Sequence, residues 1–304
     1  MTANVHFPRR RRILKTRGDR VFDVLLYGIA GLMMLITLYP IYFVIIASIS
    51  DPAQVAAGNI FMVPIGVTLK GYRMLFGYSQ LWVGYRNTIL YVLVGTAICL
   101  AVNIPVAYVL SRRDVVGHKL LTAYFVIPMF FSGGLIPTYL VVKQFGLLDR
   151  FLVMVLPFSV VTYFIIVART FFKTSLPAEL WESAQIDGCG NLRYFFSFVI
   201  PLSKAIFAVI ALWSAVGQWN AYFNALIYIH SEELRPLQLV LRNILISNQM
   251  ISNMTVGTAA AEAQRNTFLI KYGIIVLSSA PIMCLYPFVQ KYFNQGVMIG
   301  AIKG

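Results

Sequence analysis

The stretch "ELWESAQIDGCGNLRYFFSFVIPL", residues 179–202, decides the fold because it places charged groups between long apolar segments. Its charged residues are Glu179, Glu182, Asp187 and Arg193. A charged side chain near the centre of a membrane span costs about 2.5–3.5 kcal/mol, so burying all four in lipid would cost on the order of 10 kcal/mol. The stretch therefore lies outside the bilayer and connects two spans.

The segments around this stretch have the composition of a membrane protein. Of the 304 residues, 59% are hydrophobic and only 12% are charged, whereas soluble domains average about 25% charged residues. Six stretches contain no Asp, Glu, Lys or Arg and reach the roughly 20 helical residues that a hydrocarbon core requires. They run from Val24 to Ser50, Asn87 to Ser111, Leu120 to Val142, Phe151 to Ala168, Ala205 to Ile229 and Tyr272 to Gln290.

Two further windows without charge, Pro52 to Leu69 and Asn243 to Ala261, are not counted as spans. The first is interrupted by two prolines and two glycines, and the second contains several Asn, Ser and Gln residues. Such groups are costly in lipid and cheap in a loop. The sequence therefore predicts an all-α membrane protein, a bundle of six transmembrane helices in one membrane domain.

The positive charge of the chain indicates its orientation. Seven Lys or Arg residues precede the first span, which places the N-terminus in the cytoplasm. Threading six spans from there puts 16 Lys or Arg inside and 9 outside. The net charge of +14 is thus explained by topology and lipid headgroups, without nucleic acid. The predicted parts are a basic cytoplasmic tail 1–20, a membrane domain 21–290 with a cytoplasmic loop 172–202 and an outer loop 230–271, and a cytoplasmic C-terminal tail 291–304.

The sequence lacks the residues that proton coupling, nucleotide binding, disulfide bonds and metal sites require. No Asp, Glu, Lys, Arg or His lies near the middle of a predicted span, although proton-driven carriers usually keep such groups there. Coupling to sodium ions held by backbone carbonyls stays open as an alternative. No Gly-Lys dipeptide occurs, which excludes a P-loop. Cys99, Cys189 and Cys284 lie too far apart in the chain to indicate a disulfide framework or a metal site. Energy for active transport must therefore come from another chain.

The charged stretch itself predicts a helix, a turn and a second short helix. Pro177 suits a first helical position, and Glu179 in the first turn favours the positive end of the helix dipole. Gly188 ends this helix in a backbone conformation that a side chain hinders, and a second helix runs from about Asn191 to Pro201. The spacing predicts an apolar face of Pro177, Leu180, Trp181 and Ala184, opposite Glu179, Glu182 and Ile186.

This stretch closely resembles the cytoplasmic loop motif of permease subunits of bacterial binding-protein-dependent ABC importers. That motif reads Glu-Ala-Ala, three residues, Gly, nine residues, Ile, one residue, Leu-Pro. Here it reads Glu182-Ser183-Ala184, Gly188, Phe198, Ile200 and Pro201, with Ser for the first Ala, Phe for Ile and Ile for Leu. "IDG" at 186–188, "WNAYF" at 219–223 and the ending "GAIKG" are similar to the carbohydrate-uptake branch, of the maltose-permease type. The resemblance covers nearly the whole chain.

The resemblance implies a type I importer fold and a subunit that is not an enzyme. Residues 177–200 become coupling helices that insert into a cleft of an ATPase subunit, where Glu182 pairs with a basic residue. The implied partners are a second permease subunit in a heterodimer, two ATPase subunits that carry ATP and Mg²⁺, an extracellular or periplasmic solute-binding protein, and the lipid bilayer of the bacterial cell membrane. This chain binds no cofactor, and both its termini are cytoplasmic. The implied contacts to the ATPase subunits are Glu179, Glu182, Ser183, Ala184, Asp187, Gly188 and Pro201 in the loop and Gly300, Lys303 and Gly304 in the tail.

The fifth predicted span is the candidate substrate path. Sugars need aromatic faces for stacking and amides or hydroxyls for hydrogen bonds. Such groups also join membrane helices to one another or mark the membrane interface, which is the alternative interpretation. The polar outer loop 230–271 is the predicted dock for the binding protein. The candidate residues are Trp213, Gln218, Trp219, Asn220, Tyr222 and Asn224.

The leading hypothesis is half of the translocation path of an ATP-driven oligosaccharide importer. The same machinery could instead carry an acidic uronate oligosaccharide, a polyol or glycerol phosphate, and the sequence does not distinguish these solutes. An ion-coupled secondary carrier predicts gradient-dependent uptake by the chain alone. A membrane scaffold without transport activity predicts that uptake survives deletion of the chain.

Overall fold

The fold is that of a computed structural model, which describes residues 16–112, 114–254 and 258–301. Of Thr258 and residues 285–301 it describes the backbone only. Within these ranges all regular secondary structure is helical, as predicted. The described residues up to Thr68 form one compact unit, and those from Leu69 onward form a second.

The first unit consists mainly of one long helix. Helix α1 covers Arg17–Ser48, and its 32 residues extend about 48 Å at 1.5 Å per residue. It begins inside the predicted tail 1–20, because Thr16 and Asp19 form a capping box. The Thr16 hydroxyl accepts from the Asp19 backbone N–H at 3.3 Å, and the Asp19 carboxylate accepts from the Thr16 N–H at 2.8 Å. These bonds satisfy two backbone donors that would otherwise lack partners at the helix start.

The window 52–69 forms no membrane-length helix, as the sequence predicts. It contains only α2, Pro52–Ala56, which is capped by Asp51. Backbone bonds fold the rest back on the end of α1, with the Asp51 N–H donating to Ile65 O at 2.9 Å and the Thr68 N–H to Ile49 O at 2.8 Å.

The second unit is a helical bundle built around α4. Helix α4 packs against α7, α11 and α13, and α14 packs against α3, α11 and α13. The helices of this unit are α3 Lys70–Phe76, α4 Ser79–Ser111, α5 His118–Phe130, α6 Leu135–Gln144, α7 Thr162–Ser175, α8 Ala178–Ile186, α9 Asn191–Tyr194, α10 Ile200–Leu202, α11 Lys204–Trp219, α12 Phe223–Tyr228, α13 Leu237–Met254 and α14 Thr258–Ala301.

Three helical segments of the described chain are long and apolar enough to cross a membrane by themselves: α1, α4 and residues 259–284 of α14. Two bent pairs also qualify by length and composition. The chain bends by 115° between α5 and α6 and by 80° between the segment 191–202 and α11. Counting each pair as one span gives five. The predicted count of six stays a prediction.

The predicted fourth span, 151–168, is wrong as a continuous helix. Residues Phe151–Met154 form one short 3₁₀ turn, residues 155–161 are not helical, and α7 begins only at Thr162. The absence of charged residues indicates that a stretch can be buried in lipid, but it does not show that its backbone is helical. Non-helical backbone at membrane depth is tolerated where protein covers it and satisfies its polar groups.

Side chains from two neighbouring helices supply those partners. The amide of Asn103 in α4, which is fully buried, donates to Ser159 O at 2.6 Å and accepts from the Val161 N–H at 2.8 Å. Gln218 in α11 donates to Met154 O at 3.2 Å. Gly95 of α4 gives this glutamine its space, since a Cβ there would lie 2.8 Å from its Nε2 atom.

Two further regions differ from the sequence prediction. The predicted outer loop 230–271 contains α13 and the beginning of α14. Leu237, Val240, Leu241 and Ile244 are buried at the i, i+3, i+4, i+7 spacing of a helix that packs through one face. The predicted tail 291–304 continues α14 as far as Ala301, and its last three residues lie outside the described residues.

Candidate functional site

The hairpin, residues 177–202, folds through local sequence signals. Pro177 is the residue before the first helical residue of α8, with φ −62° and ψ 141°, so the helix begins one residue later than predicted. At the other end the Cys189 N–H donates to Ala184 O at 2.8 Å and the Gly188 N–H to Gln185 O at 3.0 Å. These two bonds form a Schellman motif, which requires a left-handed residue. Gly188 provides it with φ +72°, as predicted.

The two sides of α8 differ in burial. Ala184 is 7% exposed, and Leu180 and Trp181 are half-buried against the same apolar cluster as α4 and α7. Ile186, by contrast, is 87% exposed. The spacing thus predicted both sides correctly except for Pro177, which is exposed because it precedes the helix. The predicted contact residues on the exposed side are Glu179, Glu182, Ser183, Asp187 and Gly188.

The second arm of the hairpin runs back to the bundle. It consists of α9, one wide helical turn over Phe195–Val199 and α10, and it ends at Ser203 where the chain bends into α11. Tyr194 and Val199 are buried, whereas Pro201 is exposed. The Tyr194 ring lies edge-on to Trp181 of the first arm, with 4.8 Å between ring centroids. The two arms therefore hold each other through aromatic contacts.

Arg112, directly after α4, is a residue that sequence reasoning missed. Its guanidinium lies 4.1 Å from the centre of the Trp181 ring, and its Nη1 donates to Asn191 Oδ1 at 2.6 Å. One side chain thus contacts both arms of the hairpin. Its Nε also donates to Asp114 Oδ1 at 3.0 Å. This contact lowers the pKa of Asp114 and raises the pKa of Arg112, so both groups stay charged at neutral pH.

Two more side chains converge on the same end of α4. The Leu110 carbonyl oxygen lies 2.8 Å from Arg169 Nε of α7 and 2.8 Å from His118 Nε2 of α5. The last carbonyls of a helix lack intrahelical partners and carry partial negative charge, so cationic donors stabilise them. Helices α4, α5, α7 and the hairpin are therefore joined at one place.

The outer segment, residues 228–237, is fixed at the opposite end of α4. Asn87 Nδ2 donates to Glu233 O at 2.6 Å and to Arg235 O at 3.1 Å. The Tyr91 hydroxyl donates to Leu234 O at 2.8 Å, and the Leu237 N–H donates to the Thr88 hydroxyl at 2.8 Å. The backbone of this segment therefore finds its partners among buried side chains of one helix.

Asp149 fixes the beginning of the outer segment. Its Oδ1 accepts from the backbone N–H groups of His230 at 2.9 Å and Ser231 at 2.8 Å, and its Oδ2 accepts from the Ser231 hydroxyl. Asp149 is the one non-glycine residue with positive φ, 54°, among the described residues. The hydrogen bonds from Ser231, first from its hydroxyl and then from its backbone, lower the pKa of Asp149, and those of His230 add to the effect.

The predicted substrate-path residues have different surroundings. Trp219 is buried and donates to Ser278 O of α14 at 3.0 Å. Gln218 donates to Met154 O, as described above. Both side chains therefore connect α11 to neighbouring segments. Trp213 is half-buried between the rings of Tyr163 and Phe164, at 5.4 and 5.7 Å. The others lie at the break after α11, where Asn220 and Tyr222 are exposed and Asn224 is half-buried.

The predicted contacts in the C-terminal tail are only partly described. Gly300 belongs to the backbone of α14, and Lys303 and Gly304 lie outside the described residues. Within the residues that are described, no group of three or more His, Cys, Asp or Glu side chains could hold a metal ion.

Known proteins similar to this chain identify its family. No protein-family model matches. Protein LplC of Bacillus subtilis (strain 168) is 39% identical over 95% of this chain and 97% of its own length. The polygalacturonan/rhamnogalacturonan transport system permease protein YtcP of the same organism is 36% identical over 94% of this chain and 99% of its own.

A solved structure extends the likeness to three dimensions. A chain of a bacterial ABC transporter involved in the import of the acidic polysaccharide alginate superposes with a TM-score of 0.80 and is 31% identical. The match covers 92% of this chain and 99% of that one. Such permeases are not enzymes, and they work with ATPase subunits and solute-binding proteins. The chain therefore belongs to the membrane-embedded permease subunits of carbohydrate ABC importers.

Proposed function

We propose that this chain forms half of the translocation path of an importer, with a second, different permease as the other half. Two ATPase subunits, which hold ATP and Mg²⁺, bind from the cytoplasm, and an extracellular solute-binding protein delivers the solute. The hairpin docks in an ATPase subunit. The observation that supports this most strongly is the exposed acidic side of α8, which carries Glu182 and Ser183 of the motif, while Ala184 of the same motif packs on the bundle.

The proposed orientation rests on charge. The hairpin exposes Glu179, Glu182 and Asp187, and leaving such groups in lipid costs several kcal/mol. Arg112 and Arg169 lie at the end of α4 beside the hairpin, and Lys and Arg are enriched on the cytoplasmic side of membrane proteins. We therefore place the hairpin and both chain termini in the cytoplasm of a bacterial cell and the outer segment outside.

The proposed mechanism uses the hairpin as a lever. ATP binding closes the two ATPase subunits, the docked hairpins move with them, and the bundle changes from inward-facing to outward-facing. A ligand shifts such an equilibrium only by its differential affinity for the two states. ATP and the loaded binding protein each favour the outward-facing state, so hydrolysis depends on both. The tail residues Gly300, Lys303 and Gly304 lie in this proposal at the interface between the ATPase subunits.

For the solute, we propose an acidic, uronate-containing oligosaccharide. The support comes from two proteins named above, one for polygalacturonan and rhamnogalacturonan transport and one for alginate import. Polygalacturonan, rhamnogalacturonan and alginate all contain sugar acids. The exposed Asn220 and Tyr222 at the break after α11 supply an amide and a ring for hydrogen bonding and stacking.

The test is ATP hydrolysis by the whole complex in nanodiscs, with its own binding protein. Oligogalacturonate should stimulate hydrolysis, and reduced, uncharged oligosaccharides of the same length, polyols and glycerol phosphate should not. Stimulation by uncharged sugars alone would contradict the choice of solute. Uptake that follows an ion gradient in vesicles containing this chain alone would contradict the importer itself.

A further inference from the structure

Helix α4 contacts both segments through which the proposed importer receives its signals. It is one continuous helix of 33 residues, about 50 Å long at 1.5 Å per residue. Near its beginning Asn87, Thr88 and Tyr91 hold the outer segment. Directly after its end Arg112 holds the hairpin. The chain bends by 115° between α5 and α6 and by 80° between the segment 191–202 and α11, whereas α4 is one continuous helix, with Pro105 in its interior.

The outer contacts are buried. Asn87, Thr88 and Tyr91 are 4%, 0% and 1% exposed, and each donates or accepts at least one hydrogen bond with the backbone of residues 233–237. Hydrogen bonds of buried groups are electrostatically strong, and breaking one leaves an unpaired group. Movement of the outer segment therefore carries α4 with it.

The inner contact depends on the shape of one side chain. Arg112 is 15% exposed at its side chain, and Asp114 holds its guanidinium in place. A planar guanidinium can stack on the Trp181 ring and at the same time donate to Asn191, which a lysine ammonium cannot reproduce. Because Trp181 lies in α8 and Asn191 begins α9, Arg112 contacts both arms of the hairpin. The Tyr108 ring of α4 adds a contact to Phe195 of the second arm, with 5.3 Å between ring centroids.

We propose that α4 transmits the docking of the binding protein to the ATPase subunits, with Arg112 as the positioning residue that makes α4 and the hairpin move as one body. The proposal rests on the proposed function and adds its internal connection. A packed helix changes its length very little, so a displacement at one end reaches the other. Without Arg112 the hairpin still docks, but its angle to α4 is no longer fixed.

The first experiment measures ATP hydrolysis of the whole complex with and without the loaded binding protein. For Arg112→Ala the ratio of stimulated to basal hydrolysis should fall roughly tenfold or more, and Arg112→Lys should not restore it. Asn191→Ala should reduce the ratio less, and the double variant should be no worse than Arg112→Ala alone, because both act through one contact. Lys119→Ala, which removes an exposed cation at the same end of the bundle, is the control.

The second experiment needs no partner. Spin labels at Ile186→Cys on the hairpin and Ile89→Cys on the outer half of α4 report their distance in the full chain in nanodiscs. Both positions are exposed, at 87% and 48%. Cys189 and Cys284 are replaced by Ser, and the buried Cys99 is kept. Arg112→Ala should broaden the distance distribution, and Lys119→Ala should not.

The outcomes separate the two proposals. An unchanged distance distribution in Arg112→Ala, or an unchanged stimulation ratio, overturns the role of Arg112. If the unmodified complex shows no stimulation by any loaded binding protein, the proposed function fails, and the spin-label distances still decide whether Arg112 fixes the hairpin.

Discussion

The hairpin and the outer segment both attach to α4, but by different kinds of contact. Between Tyr228 and Leu237 the outer segment has one short 3₁₀ turn, Glu232–Leu234, and its backbone groups bond to buried side chains of α4. The hairpin is helical, so its own turns satisfy most of its backbone, and it attaches through rings and the Arg112 cation. Every buried backbone group needs a hydrogen-bond partner. The backbone of a loop bonds to polar side chains nearby, whereas the backbone of a helix bonds to itself and leaves the polar side chains available to another protein.

This difference decides what a substitution affects. Changes at the exposed polar side of the hairpin should leave the fold intact and act on the proposed partner binding. Changes at the polar contacts of the outer segment act on stability, because they leave buried groups without partners.

The largest expected effect is on the polar side of α8. Glu182→Lys reverses an exposed charge at the proposed ATPase contact. Losing one partner of an interfacial charge pair costs about 2–5 kcal/mol, so uptake should fall about 30-fold or more. Membrane insertion should remain normal. Lys119→Glu is the control, since it reverses an exposed charge outside the hairpin. Normal uptake by Glu182→Lys would show that the hairpin has no role in coupling.

The next effect concerns the stability of the outer segment. Asn87→Ala leaves the carbonyls of Glu233 and Arg235 without their side-chain donor, at about 1–3 kcal/mol for each buried group left unpaired. The thermal midpoint of the purified chain should fall. Asn248→Ala is the control, because among the described residues that half-buried amide bonds Ile244 O in its own helix at 2.8 Å. Equal midpoints for the two variants would show that the outer segment does not depend on α4.

A smaller effect is expected at the turn of the hairpin. Gly188 has φ +72°, and a Cβ there would meet nothing within 4 Å. Gly188→Ala should therefore loosen the hairpin by about 1–2 kcal/mol through the left-handed backbone alone. Gly190→Ala is a matched control, since that glycine also has open space but φ −73°. Hydrogen exchange of residues 178–199 should be faster in Gly188→Ala only, and equal rates would contradict a conformational cause.

The smallest effect is a pH dependence of the outer segment. The hydrogen bonds of Ser231 and His230 lower the pKa of Asp149 in the folded chain. This contribution to stability is thus fully present above the unfolded pKa of about 3.9 and is lost as the pH falls through the lower, folded value. At pH 7 hydrogen exchange at residues 230–231 should be slower in the unmodified chain than in Asp149→Asn, because the carboxylate accepts from both backbone N–H groups. Below about pH 4 acid should accelerate it in the unmodified chain but not in Asp149→Asn.

Local signals made the hairpin predictable. The spacing predicted its buried and exposed sides, and Gly188 marked the end of its first helix. Its position outside lipid, which the charge content predicts, stays a prediction. The same rules apply to α13, whose Leu237, Val240, Leu241 and Ile244 spacing was readable, but its Asn and Ser content led to the prediction of a loop.

The contacts that organise the bundle were not predictable from local pattern. The interruption after Met154 depends on Asn103, which is 58 residues away from Val161 in the chain. Arg112 lies in "SRRDVVGHK" beside other cations, and nothing in the spacing indicates which of them reaches Trp181. Gln218 and Trp219 carry groups suited to sugars, but burial and their backbone partners at Met154 and Ser278 assign them to helix contacts.

The central claim is that the hairpin is cytoplasmic and docks in an ATPase subunit. The most direct measurement is labelling of Ile186→Cys, with Cys189 and Cys284 replaced by Ser, by a maleimide that does not cross membranes. The account predicts labelling only from the cytoplasmic face, and protection of this cysteine when the ATPase subunits are bound. Labelling from the outer face, or equal labelling with and without the ATPase subunits, would contradict it.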